Sequence, residues 1–308
     1  NQLWKASTNL WAGTGTYGAG VKTSHANITG QSYICWALAQ VKRVNITAGT
    51  VSRNTDAGDT LVGITEANIK CICASGNYLI AAGVQTISWS SPTNPMDFTP
   101  SLVTGAGTAT PSDLKGQIVS VKQTADGFLI YTTANIVSAT ASGNATYPWI
   151  FKHVPGSTGL RSTEDAVSSE IDHSNTAWTI DGFQQVQASG VEPILPDLTD
   201  FIAARLMESY SLSTGILTVT ELTAELKVML HKIGKRYIVI SYGVTTFTHA
   251  LIYDLALKRW GKVVITHAEV IALPSTSTTA ARELCFVAAD GSTKQLSMSA
   301  VNTTATGV

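Results

Sequence analysis

The sequence has few charged residues. Lys, Arg, Asp and Glu together make up 13% of the 308 residues, against about 25% in an average soluble domain. The formal net charge is −1. A free-standing nucleic-acid-binding domain and a polybasic membrane anchor both carry a basic excess, so the charge balance argues against both classes. A surface with so little charge is covered by Ser, Thr, Asn and Gly, or by other subunits.

Long apolar runs and cysteines are scarce as well. No apolar run approaches the roughly 20 residues that a membrane-spanning helix needs, and no basic-then-apolar leader is visible, so we expect no membrane anchor. The four cysteines are too few for a disulfide scaffold in a chain of 308 residues. Cys71 and Cys73 are two apart, which places both on one face of a strand. We expect small buried side chains there, because a metal site would need C-x-x-C spacing or nearby histidines.

Catalytic motifs are missing. Gly13 to Gly18 match G-x-G-x-x-G, but a poor helix-forming segment follows, and a pyrophosphate site needs a helix N-terminus there. The six histidines show no metal-ligand spacing, and no G-x-S-x-G elbow is present. Acid pairs such as Glu164 and Asp165 lie in polar stretches that are typical of solvated turns. The sequence predicts no catalytic residue, cofactor or metal ligand, although a carboxylate pair assembled only by the fold stays open.

The sequence is instead rich in period-two alternation bounded by Gly, Asn, Asp and Ser, which is typical of strands and tight turns. Five such hairpins recur roughly 45 to 60 residues apart, a repeat length typical of propeller blades. This pattern predicts an all-β, β-propeller-like fold, with a pair of β-sandwiches as the alternative. The five hairpins lie at 78–90, 126–139, 177–186, 236–254 and 284–298.

The hairpins suggest a simple domain organisation. Residues 71–300 are expected to form the propeller-like domain. Residues 1–70 form an N-terminal β segment that is either separate or part of the same propeller. Residues 301–308 are expected to be a tail.

One segment departs from the strand pattern. Residues 196–208 predict a short helix, because Asp197 is suited to cap its first turn. Leu198, Ile202 and Leu206 would then share one face at i, i+4 spacing. We expect this helix to pack on the side of the sheets or to contact another subunit.

Three of the predicted hairpins contain an Asp-Gly pair. Such pairs are typical of tight turns, and we expect each glycine to adopt the positive φ that these turns require. The three pairs are Asp126-Gly127, Asp181-Gly182 and Asp290-Gly291.

The most specific stretch is the strand–turn–strand step that begins at Tyr253. Asp254 is expected to hold the turn through its own side-chain hydrogen bonds. Trp260 is expected to open the next strand and to lay its ring against the sheet. The step resembles that of kelch-type propeller blades, in which a Tyr-Asp pair is followed a few residues later by a Trp.

A longer likeness surrounds this step. The likeness involves residues 235–262 and the stretch from Ile87 through Trp89 to Pro92, with the Asp97-Phe98 pair that follows. It also involves two shorter stretches at 114–116 and 127–131. All of these segments resemble tail proteins of short-tailed bacteriophages. The family is that of the packaged-DNA stabilisation or tail hub and nozzle proteins. In those proteins a W-S-x-P…D-F loop precedes a strand that ends in a G-F-x-I-Y step. The likeness covers residues 75–270.

The resemblance implies a non-enzymatic structural subunit of the virion. Such subunits form a homo-oligomeric ring, commonly a hexamer, below the portal and adaptor and around the channel through which DNA leaves. Its partners would be other tail, adaptor or portal proteins and passing genomic DNA, which is not bound sequence-specifically. The low charge agrees with this role, because phosphate contacts hold DNA strongly at low salt and would slow ejection.

Two other functions stay open from the sequence. An adhesin could bind glycan or protein through propeller loops, with Trp89, Trp149 and Trp178 as contact residues, although we expect these rings in the blade core. A propeller glycosidase or lyase would need carboxylates that converge on one pocket.

Overall fold

The structure is a computed structural model, and its described part is nearly all-β. Strands β1 to β27 and one short 3-10 helix, Glu66–Asn68, occur in it. The chain divides into two compact units, residues 1–166 with 186–191 and residues 167–185 with 192–308. The described residues are 4–5, 8–9, 23–45, 50–52, 61–144, 146–160, 166–168, 173–194, 199–200, 206–211, 213, 216–221, 226–233, 237–273, 283–288, 290 and 292–296.

Three four-stranded sheets follow one another along the first unit. In each of them, strands that are consecutive in the chain are antiparallel neighbours. Sheet 1 contains β3 (Thr23–Ile28), β4 (Gln31–Trp36), β5 (Gln40–Asn45) and β6 (Thr50–Ser52). Sheet 2 contains β7 (Cys71–Ser75), β8 (Tyr78–Ala82), β9 (Ile87–Trp89) and β10 (Gly107–Ala109). Sheet 3 contains β11 (Ile118–Thr124), β12 (Gly127–Thr132), β13 (Ile136–Ala141) and β14 (Trp149–His153). A two-stranded ribbon, β1 (Trp4–Lys5) and β2 (Thr8–Asn9), precedes them.

The central sheet of this unit has two buried faces. On β7, Ile72 and Ala74 belong to an apolar cluster shared with sheet 1. Cys71 and Cys73 belong to a second cluster, shared with sheet 3. Successive strand residues point to opposite faces, so a continuously apolar strand is the form expected between two neighbouring sheets. All five residues of β7 are buried.

The remaining strands repeat this arrangement. Sheet 4 contains β15 (Ala166–Ser168), β16 (Asn175–Thr179), β17 (Gly182–Gln187) and β18 (Gly190–Pro193). Strands β19 (Leu206–Ser211) and β20 (Ile216–Glu221) form a ribbon. Sheet 5 contains β21 (Lys227–Ile233), β22 (Tyr237–Gly243), β23 (Phe247–Asp254) and β24 (Arg259–His267). Sheet 6 contains β25 (Glu269–Leu273), β26 (Glu283–Val287) and β27 (Thr293–Leu296).

Sheet 5 is packed on both faces within the second unit. Ile238 and Ile240 join Trp178 and Phe183 of sheet 4 in one apolar cluster. On the opposite face, Val239 packs with residues of sheet 6 that include Val270, Leu284 and Phe286. The fold is therefore all-β and propeller-like, because small antiparallel sheets of consecutive strands pack face to face like blades.

The five predicted hairpins are all present. They correspond to β8–β9, β12–β13, β16–β17, β22–β23 and β26–β27. The first four are the middle pairs of four-stranded sheets, and the fifth is the outer pair of a three-stranded sheet. The predicted domain boundaries at 70 and 300 stay predictions.

The predicted helix at 196–208 differs from the structure at its end. Thr199 and Asp200 are helical, and the other residues up to 205 lie outside the described part. From Leu206 the chain is strand β19, paired antiparallel with β20 from Leu206 opposite Glu221 to Ser211 opposite Ile216. The helical expectation for 206–208 is therefore wrong. An available partner strand outweighs a helical pattern in so short a run.

The turn glycines behave in two ways. Gly182 has a φ of +117°, as predicted. Gly127 does not adopt a positive φ, so that expectation is wrong. It is needed because a Cβ at this position would lie 1.9 Å from the carbonyl oxygen of Ala139 on the neighbouring strand. Gly291 lies outside the described residues.

Candidate functional site

Of the six motif residues chosen from the sequence, three belong to each unit. Trp89, Asp126 and Gly127 belong to the first unit, and the residues of the Tyr253-to-Trp260 step belong to the second. In the β11–β12 turn, the backbone oxygen of Asp126 accepts a hydrogen bond from Ala141 N at 3.1 Å. Asp126 and Gly127 therefore hold a turn against strand β13, which is a structural task.

Trp89 is part of the core of the first unit. Its ring is buried, and Nε1 donates to the Gly105 carbonyl at 2.9 Å. A Cβ on Gly107 would lie 2.6 Å from the ring. The ring therefore fixes the long loop that leads into β10, and it offers no face to a ligand.

The loop after Trp89 uses its polar side chains on its own backbone. Ser90 Oγ is buried, accepts from Leu79 N at 2.9 Å and donates to Ser91 O at 3.1 Å. Asp97 Oδ1 accepts from Thr99 N at 2.9 Å. Phe98 is buried in the cluster shared by sheets 1 and 2. The residues of the W-S-x-P…D-F pattern therefore build the loop.

A second matched segment, 114–116, is held by Asn135, a residue that the sequence did not single out. Asn135 is buried, its Nδ2 donates to Asp113 O at 2.8 Å, and its Oδ1 accepts from Lys115 N at 3.0 Å. Thr132 Oγ1 donates to Lys115 O. The spacing of Thr132 and Asn135 across a hairpin turn is the signal that could have revealed this network.

The Asp254 turn forms as predicted. Asp254 Oδ1 accepts from Ala256 N at 2.9 Å and from Leu257 N at 3.1 Å. Trp260 is the second residue of β24 and lies directly opposite Tyr253. Its ring, however, is 62% exposed, so the prediction that it lies against the sheet is wrong. Strand β24 is the outermost strand of sheet 5, and its residues therefore have a neighbouring strand on one side only.

Several residues around Trp260 are exposed. Lys258, Arg259 and Trp260 are exposed, Lys262 is half-buried, and Val264 is 72% exposed. We call these five residues the β24 edge. It combines an aromatic ring, an apolar side chain and three cations, of which Lys258 lies in the turn before β24 and the other residues lie on the strand.

A buried hydroxyl–imidazole pair lies elsewhere in sheet 5. Ser241 Oγ and His267 Nε2 are 2.7 Å apart, and His267 Nδ1 is 2.8 Å from the Ile265 carbonyl. A carbonyl only accepts, so Nδ1 carries the proton and Nε2 accepts from the hydroxyl. This arrangement is able to move a proton, but Ser241 is 0% and His267 2% exposed. The pair therefore ties β24 to β22 and offers no access to a substrate.

A second histidine lies on the side of sheet 5 that faces sheet 6. His231 Nε2 is 3.2 Å from Glu269 Oε1, but the two atoms are not aligned as a hydrogen bond. Burial, and secondly the nearby His267, lower the pKa of His231 to about 4. Burial also lowers the pKa of His267. Both imidazoles are therefore neutral at pH 7.

The cysteines of the first unit are buried thiols. Burial raises the pKa of Cys35 to about 12 and that of Cys71 to about 11. Burial likewise raises the pKa of Cys73 and lowers that of the neighbouring Lys122. A protonated thiol is a poor nucleophile and a poor metal ligand. The prediction that Cys71 and Cys73 are small buried side chains on one face is confirmed.

Other residues named from the sequence are either core or undescribed. Trp149 and Trp178 are buried, and Trp149 packs edge-to-face against Phe128. The expectation that these rings are core is confirmed. The glycine-rich segment 13–18 and the pair Glu164 and Asp165 lie outside the described residues. In the part that is described, no three His, Cys, Asp or Glu side chains are arranged to hold a metal ion.

Among the described residues, no helix is both long and apolar enough to cross a bilayer.

Comparison with known proteins gives likenesses of structure only. No family model and no curated protein matches the chain. A computationally designed protein, Ika8, aligns at a TM-score of 0.49 with 10% identity, over 89% of this chain and 70% of its own. BBS1N, crystallised in complex with ARL6DN, aligns at 0.49 with 13% identity, over 90% and 77%. BamB from Moraxella catarrhalis aligns at 0.40 with 10% identity, over 96% and 89%. At these values the likenesses carry no argument about function.

Proposed function

We propose that the chain is a structural subunit of a short bacteriophage tail. It forms, with copies of itself, a hub or nozzle ring below the portal that retains packaged DNA and forms the channel for its ejection. The ring is a hexamer, its neighbours are adaptor, portal and other tail proteins, and its location is the virion. The observation that carries the proposal is the resemblance over residues 75–270.

The matched segments support a structural role. Ser90 Oγ and Asp97 Oδ1 accept hydrogen bonds from the backbone N–H groups of Leu79 and Thr99. The backbone N–H of Lys115 donates to Asn135 Oδ1. Side chains that recognise or transform a ligand point away from the backbone toward it. In these segments the shared residues shape loops and turns, which is what a family of scaffold proteins has in common.

The buried reactive groups support a non-enzymatic function. The Ser241–His267 pair is enclosed by sheet 5 and its neighbours, and the three thiols of the first unit are protonated because of their burial. Nucleophilic catalysis needs an activated group that a substrate reaches. None of these described groups meets that condition.

The oligomeric state of the purified chain tests the proposal. Native mass measurement at micromolar concentration is expected to give a closed ring of six copies, and electron microscopy is expected to show its central channel. Ring closure requires two different complementary patches on each subunit. A chain that stays monomeric under these conditions contradicts the proposal, as does turnover of a glycan substrate.

An adhesin is the second candidate. Trp89, Trp149 and Trp178 are buried, so they are not contact residues for a glycan. The observation that favours a binding function is the exposure of Trp260 and of Tyr147. A glycan array separates the two functions, because an adhesin is expected to bind a defined sugar and a ring subunit is not.

A further inference from the structure

We propose that the β24 edge is a docking site for an extended, acidic segment of a partner protein, which adds to sheet 5 as a fifth strand. This inference does not depend on ring formation. A monomeric chain with the same edge would bind the same segment.

The first argument is the length of the unpaired edge. Strand β24 has nine residues, and sheet 5 ends with it. Among the described strands, none pairs with its outer side. The last strands of sheets 1, 2, 3, 4 and 6 have three, three, five, four and four residues. A long edge strand presents a row of free N–H and C=O groups to which another strand adds.

The second argument is the side-chain pattern. Trp260, Lys262 and Val264 alternate along β24 and therefore project from one face of the sheet. Trp260 is 62% and Val264 72% exposed, although both are large apolar side chains. An added strand would cover them with its own alternate side chains, which is how strand addition gains specificity.

The third argument is charge, and it selects the occupant. Lys258 and Arg259 have no ion-pair partner among the described residues. Lys262, which has a contact of its own within the chain, adds positive charge further along the strand. The nearest acid in sequence, Asp254, has its Oδ1 engaged by the turn. Like charges on adjacent strands disfavour pairing, so the edge disfavours a second copy of β24. An acidic strand is attracted by the same three cations.

Lysine on an edge strand has another known use, because it discourages indiscriminate pairing. If the cations of the β24 edge only discourage pairing, the chain repels basic strands and does not bind acidic ones. The experiment therefore has to show binding of an acidic strand.

The probe is a nine-residue peptide of alternating Glu and Val, blocked at both ends and labelled for fluorescence anisotropy. Peptides of alternating Gln and Val and of alternating Lys and Val are the controls. The full chain is expected to bind the Glu peptide at least about tenfold more tightly than the Gln peptide, and the Lys peptide least. Added salt is expected to reduce this difference.

Variants locate the site. Arg259→Glu with Lys262→Glu is expected to lower affinity for the Glu peptide by at least about tenfold and to raise affinity for the Lys peptide. Lys152→Glu, an exposed charge reversal on strand β14 at the edge of sheet 3, is the matched control and is expected to leave binding unchanged. Circular dichroism confirms that each variant is folded.

Backbone methylation tests strand addition itself. Two versions of the Glu peptide are N-methylated at odd or at even positions, so each loses the N–H groups of one edge. One version is expected to bind like the parent peptide and the other to lose binding.

Four outcomes overturn the proposal. They are equal binding of the Glu and Lys peptides, unchanged binding by the charge-reversed variant, binding of both methylated peptides, and a dimer of the chain that forms through Trp260 while no peptide binds. The first three outcomes do not bear on the ring, which is measured by mass, whereas a dimer would also contradict a closed ring of six copies.

Discussion

At the scale of single residues, glycines in this molecule are required by close contacts as well as by φ. Gly127 shows this, because its backbone does not need a left-handed conformation. A Cβ there would lie 1.9 Å from the Ala139 carbonyl oxygen, so strands β12 and β13 would have to separate.

Gly127→Ala is therefore expected to destabilise the protein by about 1–3 kcal/mol, the usual cost of forcing extra volume into a packed site. Gly261→Ala is the matched control, because Gly261 is also a strand residue and nothing lies within 4 Å of its hypothetical Cβ. Denaturant unfolding of both variants measures the difference. Equal stability of the two variants would contradict the packing argument.

Asn135 is the other residue on which local structure depends. Asn135→Ala removes the acceptor of Lys115 N and the donor to Asp113 O at a buried position. We expect a loss of about 2 kcal/mol, because buried polar groups are left without partners. Asn144→Ala, at an exposed turn, is expected to cost less. Thermal unfolding of both variants checks this order, and a smaller effect at Asn135 would show that water replaces the amide.

At the scale of elements, the β23–β24 connection depends on one carboxylate. Asp254→Ala removes the acceptor of Ala256 N and Leu257 N, and we expect a loss of about 1 kcal/mol. Asp254→Asn keeps an oxygen acceptor and is expected to restore most of that stability. Comparing the unfolding midpoints of the two variants separates the hydrogen bonds from the charge. If the asparagine variant is as unstable as the alanine variant, the charge is what matters.

The packing of sheets 5 and 6 is expected to depend on pH. In the folded chain the pKa of His231 is lowered from 6.5 to about 4, so folding favours the neutral imidazole. The neutral imidazole's contribution to the free energy of unfolding is complete above pH 6.5, declines as the pH falls, and is lost by about pH 4. The whole pKa shift corresponds to about 3 kcal/mol. Protonation would also place two like charges close together, on His231 and His267.

Stability measured by denaturant unfolding between pH 7 and pH 4 tests this expectation. His231→Gln removes the titrating group and is expected to flatten the decline. His25→Gln, at an exposed histidine of sheet 1, is the control and is expected to keep it. An unchanged slope in the His231 variant would assign the acid sensitivity to other groups.

The sequence predicts elements better than it predicts sites, for a physical reason. Hairpins are local, so period-two alternation and turn residues reveal them. The turn sequence Gly83-Val84-Gln85-Thr86 even recurs as Gly243-Val244-Thr245-Thr246, each at the junction of the second and third strands of its sheet, with Gly243 as the last residue of β22. The pair Ser241 and His267 is separated by 26 residues, and no local pattern brings it together.

The exposure of Trp260 was missed for a related reason. The Tyr-Asp…Trp spacing correctly indicates a turn between two strands, and Asp254 confirms it. Whether the ring is covered depends on what packs beside the outermost strand. That is a property of the neighbouring elements, and a short motif contains no information about it.

At the scale of the whole molecule, the charge balance leads to a last prediction. With 20 Lys and Arg against 21 Asp and Glu, the chain has no excess of cations to neutralise phosphates. We expect binding to duplex DNA to be no tighter than the non-specific range of about 10⁻⁴ to 10⁻⁶ M at physiological salt. A channel wall with this property would let DNA pass.

Anisotropy of a labelled duplex, measured over a salt series, tests this expected weak binding. Tight binding that weakens steeply with salt would mean that the few cations are gathered on one DNA-facing surface, and the chain would then grip DNA as it passes.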